Sequence, residues 1–148
     1  MPATMEEATL QILDLFDQHW SALHPTIPVV APNTPVPDSV RSSDSNSGKA
    51  YARIHIQHND GRQSSTGSSN GSRRFRHTGL VTVELNSPSY SGVSGPSLKA
   101  TDALNAFRGK TTSGGVTFMR PRPREIGSDG TWYRVDALVE FTYDEVVT

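Results

Sequence analysis

The chain has 148 residues, a formal net charge of −1 and no cysteine. The lack of cysteine excludes a disulfide framework, a thiolate zinc site and a cysteine nucleophile. No apolar run approaches the roughly 18 residues that a membrane span requires, and the acidic N-terminus lacks the basic and then apolar plan of a signal peptide. We therefore expect one soluble intracellular domain covering residues 1–148.

The composition predicts a thin core and an uneven distribution of charge. Leu, Ile, Val and Phe make up about 21% of the chain, close to the level of roughly 20% below which chains tend toward disorder. Residues 1–40 carry a net charge of −5, residues 41–134 carry +8, and the last fourteen residues carry −4. We expect long loops and a fold that partner subunits help to stabilise, and the near-neutral net charge results from charge blocks that cancel.

The first predicted element is an amphipathic helix that begins after a Thr4 N-cap and ends at Pro25. Its inner face is predicted from apolar residues that recur at spacings of three and four: Leu13, Phe16, Trp20 and Leu23. A proline-rich extended segment follows the helix. After it, residues 41–49 are polar and rich in serine, and we expect them to be flexible.

Two strands are predicted next, at residues 50–58 and 73–85, because apolar and polar residues alternate there with a period of two. Residues 59–72 between them are all polar or glycine, so they have no means of packing a core of their own. We therefore expect a long hairpin whose loop, residues 59–72, is flexible.

A second helix is predicted at residues 97–108, with Ser97 as its cap and Gly109 as its stop. Its predicted inner face consists of Leu98, Thr101, Leu104 and Phe107. A strand at 116–120, an extended basic segment at 120–124 and a final strand at 131–143 complete the chain. This order of elements predicts an α+β fold, with a mostly antiparallel four-stranded sheet and two helices on one face.

No motif in the sequence predicts catalysis, a cofactor site or a metal site. Gly109-Lys110-Thr111 imitates the end of a phosphate-binding P-loop, but Leu104 stands where the motif needs glycine. His55 and His58 are three residues apart on a predicted strand, so they face opposite sides and cannot share a metal ion. The sequence therefore shows no catalytic constellation.

Two basic clusters are the strongest candidates for a functional surface. The candidate interface residues are Arg73, Arg74 and Arg76, Arg120, Arg122 and Arg124, together with Asp60 and Arg62 of the long loop. One interpretation is contact with an acidic protein or nucleic acid, and the other is an ordinary solvated face. The sequence pI of about 6.5 and the lack of a stacking-aromatic signature with the arginines disfavour direct nucleic-acid binding.

The order of these elements resembles that of the tail terminator proteins of long-tailed bacteriophages, of the minor tail protein U type. The resemblance rests on the helix sequence ILDLFDQHW, the extended segment at 27–33, and the strand, loop and strand from 50 to 85. It continues through residues 92–95, the helix that reaches 107–109, and the closing segment from 132–135 to 141–144. None of these is a strict chemical signature, and the evidence is their joint order.

The resemblance implies a hexameric ring at the head-proximal end of the tail tube of a virion, assembled in the host cytoplasm. Such a ring stops polymerisation of the major tail tube protein and presents a docking surface to the head-completion, or connector, protein. Proteins of this family are not enzymes and need no cofactor, and the charge blocks of this chain suit contacts between neighbouring rings. DNA passes through its channel without specific binding, so we expect the arginines at protein interfaces and a neutral or acidic channel wall.

Two alternatives to a tail terminator remain. The first is another ring protein of the virion, such as a head-to-tail adaptor or stopper of the neck. The second is a small nucleic-acid-binding module that uses the arginine clusters.

Overall fold

The computed structural model describes residues 4–25, 27–32, 34, 50–63, 73–88, 94–128 and 132–147. Its elements are α1 (Met5–Leu23), β1 (Val29–Val30), β2 (Tyr51–Gln63), β3 (Arg73–Pro88), α2 (Ser94–Asn105), β4 (Thr117–Ser128) and β5 (Trp132–Val147). The predicted α+β class is confirmed. The predicted flexible segment 41–49 and residues 64–72 of the predicted loop lie outside the described residues, whereas residues 59–63 of that loop belong to β2.

Within these described ranges the sheet has five strands, in the order β1-β2-β3-β5-β4. Its strand pairs are antiparallel except β1 with β2, which is parallel. The prediction of four strands was therefore wrong by one. The missed strand is the two-residue β1, which is too short to show any periodicity and lies in the proline-rich segment.

Helix α1 begins and ends close to the predicted residues, but a slightly different set of its residues faces the core. The Thr4 hydroxyl accepts a hydrogen bond from the Glu7 backbone N–H at 3.2 Å, which makes Thr4 the N-cap. The buried residues recur at every fourth position: Ala8, Ile12, Phe16 and Trp20. Leu23, predicted on the inner face, is instead 50% exposed.

Helix α2 begins at Ser94, three residues before the predicted cap, and ends at Asn105. Its inner face is also displaced, because Leu98 is 60% exposed and Thr101 is exposed. The residues that pack inward from the helix and the turn after it are Ala100, Ala103, Leu104, Ala106 and Phe107. Three of these are alanines, whose small side chains permit a close approach to the sheet. Gly109 ends the turn at a φ of 68°, a conformation that favours glycine.

The core lies between the two helices and one face of the sheet, as predicted. On β2, β3 and β5 the apolar residues of the main core face the helices at every second position, among them Ile54, Val83 and Phe141. Phe16 of α1 stacks on Phe107 with ring centroids 5.8 Å apart. The predicted helix-covered face of the sheet is therefore confirmed.

Strand β4 is one continuous strand where two elements were predicted, a strand at 116–120 and an extended basic segment at 120–124. The strand is irregular, because its register with β5 shifts between Met119 and Arg122 and again between Glu125 and Gly127. Arg120 lies in the first shift with a φ of 54°. Strand β4 tolerates its prolines because it lies at the edge of the sheet, where one side of the strand needs no hydrogen-bond donors.

The side of the sheet that faces away from α1 and α2 is called the open face below. It carries the alternate residues of β2, β3 and β5, including His55, Glu84 and Asp136. Within the described residues, we find no helix that is both long enough and apolar enough to cross a membrane.

Candidate interaction surface

The open face brings together all but one of the predicted interface residues. Arg74 and Arg76 lie on β3, on one side of β5, and Arg120, Arg122 and Arg124 lie on β4, on its other side. Asp60 and Arg62 lie at the end of β2, opposite Thr78 and Arg76. Arg73 is the exception, because its register position opposite Val147 places it on the other face of the sheet.

Carboxylates of β5 lie between the two arginine clusters and pair with both. Asp144 is 3.1 Å from the Arg76 Nε and 3.6 Å from an Arg74 guanidinium nitrogen. Glu140 is 3.2 Å from the Arg120 Nε and 3.3 Å from an Arg122 guanidinium nitrogen. The basic middle block and the acidic C-terminal block of the sequence therefore partly neutralise each other within one chain.

Asp136 is the most buried member of this network. Its side chain has no solvent exposure, and its oxygens accept hydrogen bonds from Arg134 at 2.8 and 3.0 Å and from Arg124 at 3.0 Å. The hydrogen bond to Asp136, with further attraction from Asp136 and Glu84, raises the pKa of Arg134 above its ordinary value. Glu84 in turn contacts Arg134 at 3.0 Å and the His55 Nε2 at 2.9 Å.

The open face keeps an excess of positive charge after this pairing. Among the described residues it carries eight arginines and five carboxylates. The arginines are Arg53, Arg62, Arg74, Arg76, Arg120, Arg122, Arg124 and Arg134, and the carboxylates are Asp60, Glu84, Asp136, Glu140 and Asp144. Sequence analysis missed Arg53 and Arg134 as members, although the alternation of polar residues along their strands was a signal that they share this face.

Two partly exposed apolar side chains lie next to Glu140 on the open face. Leu80 of β3 and Met119 of β4 both pair in register with Glu140, one on each side of it, and Met119 is 41% exposed. Leu138, 5% exposed, is the next residue of β5 on the same face. Glu140 stands between Leu80 and Met119 and pairs with Arg120 and Arg122, so this part of the open face combines apolar side chains with ion pairs.

A polar cavity of about 280 Å³ lies at one end of the open face, lined by Tyr51, Glu84, Asn86, Ile126, Trp132 and Arg134 among others. The Tyr51 and Trp132 rings meet edge to face at 5.4 Å. The amide nitrogen of Asn86 is buried and has no hydrogen-bond partner among the described residues.

A second titratable cluster lies on the helix side of the sheet. The His77 ring stacks on Tyr143 at 5.1 Å and contacts the Glu145 carboxylate at 3.2 Å, and His58 meets Tyr143 edge to face. Burial, and then the charge of Glu145, raises the pKa of Tyr143 to about 12. Burial, and then the charge of His77, lowers the pKa of His58. Within the part of the chain that the structure describes, no three metal-ligating side chains come together.

Comparison with known proteins finds likeness in structure but not in sequence. No family model matches the chain, and no curated protein sequence matches it. A solved protein designated only by a sequence identifier has 16% identity and a TM-score of 0.60, covering 95% of this chain and 96% of its own. A chain from the virion of a native gene transfer agent particle has 13% identity and a TM-score of 0.50, covering 93% and 94%. At these identities the likeness shows a shared fold.

Proposed function

We propose that the chain is a structural protein of a virion. Its role is to form a ring that caps the head-proximal end of a bacteriophage tail tube, ends tube polymerisation and provides the docking surface for the head. The observation that supports this most is the likeness, over more than nine tenths of both chains, to a chain of a gene transfer agent virion. The resemblance of the element order to tail terminators, which rests on the sequence, points to the same class of protein.

The chemistry of the open face supports a role in binding protein rather than DNA. Most open-face arginines already pair with a carboxylate at 2.8–3.6 Å, so part of the positive charge that would attract the DNA backbone is compensated within the chain. Each phosphate that an arginine neutralises also adds affinity, which would slow DNA in a channel. We therefore place the arginines at protein interfaces and give the channel a neutral or acidic wall.

The proposed partners are further copies of the chain in a hexameric ring, the major tail tube protein and the head-completion protein. DNA passes through the ring without specific binding. The proposal includes no catalytic step and no cofactor.

Electron microscopy of particles assembled without this chain tests the proposal. We expect tail tubes of uncontrolled length that do not join heads, and we expect the intact gene supplied in trans to restore uniform tails. Tails of normal length that fail to join heads would instead identify a head-to-tail adaptor or stopper. Normal particles would refute both virion roles.

The positive excess on the open face favours one second candidate, a nucleic-acid-binding module. Purified protein is titrated with short duplex and single-stranded DNA at several salt concentrations. Submicromolar binding that weakens steeply with salt would support this candidate. Weak binding at moderate ionic strength is the result expected of the ring protein.

A further inference from the structure

The outer side of α1 carries a second charged surface, opposite in sign to the open face. Glu6, Glu7, Asp14 and Asp17 are all exposed, and residues 1–40 contain no lysine or arginine. Leu10 lies between the two acidic pairs on the same side of the helix and is 56% exposed. We call these five residues the acidic helix face.

The acidic helix face and the open face are opposite in charge and similar in size. Leu10 lies between carboxylates on the helix face, and Met119 and Leu80 flank Glu140 and its arginine partners on the open face. From Glu6 to Asp17 the helix rises by roughly 16 Å. The four strands β2, β3, β5 and β4 span about 14 Å across the sheet. Opposite charges around apolar contacts favour the specific pairing of two protein surfaces.

The two surfaces lie on opposite sides of the molecule, because α1 covers one face of the sheet and the open face is the other. One copy therefore cannot bring its own two surfaces together. A contact between them joins different surfaces of two copies, and repeating such a contact generates a closed ring or an open filament.

We propose that the acidic helix face of one copy binds the open face of the next copy, with Leu10 packed against Met119 and Leu80. The proposal rests on the proposed function in that it assigns the subunit contact of the ring. The occupant of the open face is a second copy of this chain, since the chain itself supplies a surface of complementary charge.

Site-directed cross-linking tests the contact directly, because the chain has no cysteine of its own. Leu10→Cys protein is mixed with Met119→Cys protein and treated with a short bis-maleimide. We expect a cross-linked dimer from the mixture and none from either protein alone. Leu98→Cys is the matched control, because Leu98 is 60% exposed on α2 and belongs to neither surface. Dimers from Leu10→Cys alone, or equal yields with the control, would overturn the proposal.

Charge exchange gives a second test that does not depend on cross-linker reach. Asp14→Lys/Asp17→Lys reverses the helix face, and Arg62→Glu/Arg120→Glu reverses two positions of the open face. Arg120 is 72% exposed, and Arg122 continues to hold its partner Glu140 when Arg120 is replaced.

In sedimentation at low ionic strength we expect the parent protein to associate and each reversed variant to be monomeric. The protein that carries both reversals is expected to associate again, a result that a merely misfolded variant cannot give. The matched control, Arg108→Glu/Lys110→Glu, changes the same charge in the turn before β4 and is expected to associate as the parent does. A monomeric parent, a monomeric double reversal or a monomeric control would contradict the proposed contact.

These results separate the contact from the proposed function. If the reversed variants still produce tails of uniform length and the cross-link is absent, the contact is wrong and the capping role stands. If particles without the chain are normal, the capping role is wrong, and the cross-link alone decides the contact. If Arg62→Glu/Arg120→Glu abolishes uniform tails while no cross-link forms, the open face binds a different acidic partner.

Discussion

Replacing Asp136 with asparagine tests whether the buried part of the open-face network stabilises the fold. The two carboxylate oxygens of Asp136 accept three hydrogen bonds from Arg134 and Arg124. Asparagine keeps the size of the side chain but removes the negative charge and replaces one of these oxygens with an NH2 group. Breaking a buried ion pair from one side costs about 3–5 kcal/mol. The two arginine side chains are 34% and 56% exposed and regain water when released, so we expect a loss of about 2 kcal/mol in the free energy of unfolding.

The matched control for this prediction is Asp144→Asn. Asp144 is also a β5 carboxylate between arginines, but it is 22% exposed and its partners Arg74 and Arg76 are about half exposed. Exposed pairs contribute roughly 0–1 kcal/mol, and salt screens them. Urea denaturation followed by circular dichroism compares the two variants at low and high salt. Equal losses in the two variants, or a loss below about 0.5 kcal/mol for Asp136→Asn, would refute the argument.

Two further predictions concern the helix side of the sheet. Gly79→Ala is expected to cost about 3 kcal/mol, because its new Cβ would clash with the Gln57 carbonyl oxygen and the Phe141 ring. Gly61→Ala meets the His77 ring but no backbone atom and is therefore expected to cost less than Gly79→Ala, and urea midpoints test the difference. Because folding raises the pKa of Tyr143 to about 12, its contribution to stability is complete below pH 10 and lost as the pH rises from 10 to 12. Between pH 8 and pH 11 the free energy of unfolding is therefore expected to fall by about 1 kcal/mol less in Tyr143→Phe than in the parent protein. Urea unfolding at both pH values measures the two decreases, and equal decreases would contradict the prediction.

The sequence predicted the elements in which the apolar spacing repeats several times. It did not predict features that depend on which strands lie next to each other. Helix α1 and strand β5 were predicted because each shows its apolar spacing over more than three repeats. The ion pairs of Asp136 and Glu140 were not predicted, because they depend on β5 lying between β3 and β4, a strand order that no local pattern encodes. The continuity of β4 was also missed, since its prolines indicate a break in any strand except one at an edge.

The strand order also changes what the charge blocks of the sequence mean. Along the chain, blocks of −5, +8 and −4 suggest separate contacts with partner subunits. In the fold, Asp136, Glu140 and Asp144 of the last block lie among the arginines and compensate part of their charge, so the described residues form two strongly charged surfaces. The acidic helix face carries four carboxylates, and the open face on the other side of the molecule keeps three more arginines than carboxylates. Like surfaces of two copies repel each other and unlike surfaces attract, so the charge distribution disfavours a two-fold dimer and favours the repeated contact of unlike surfaces that a ring requires.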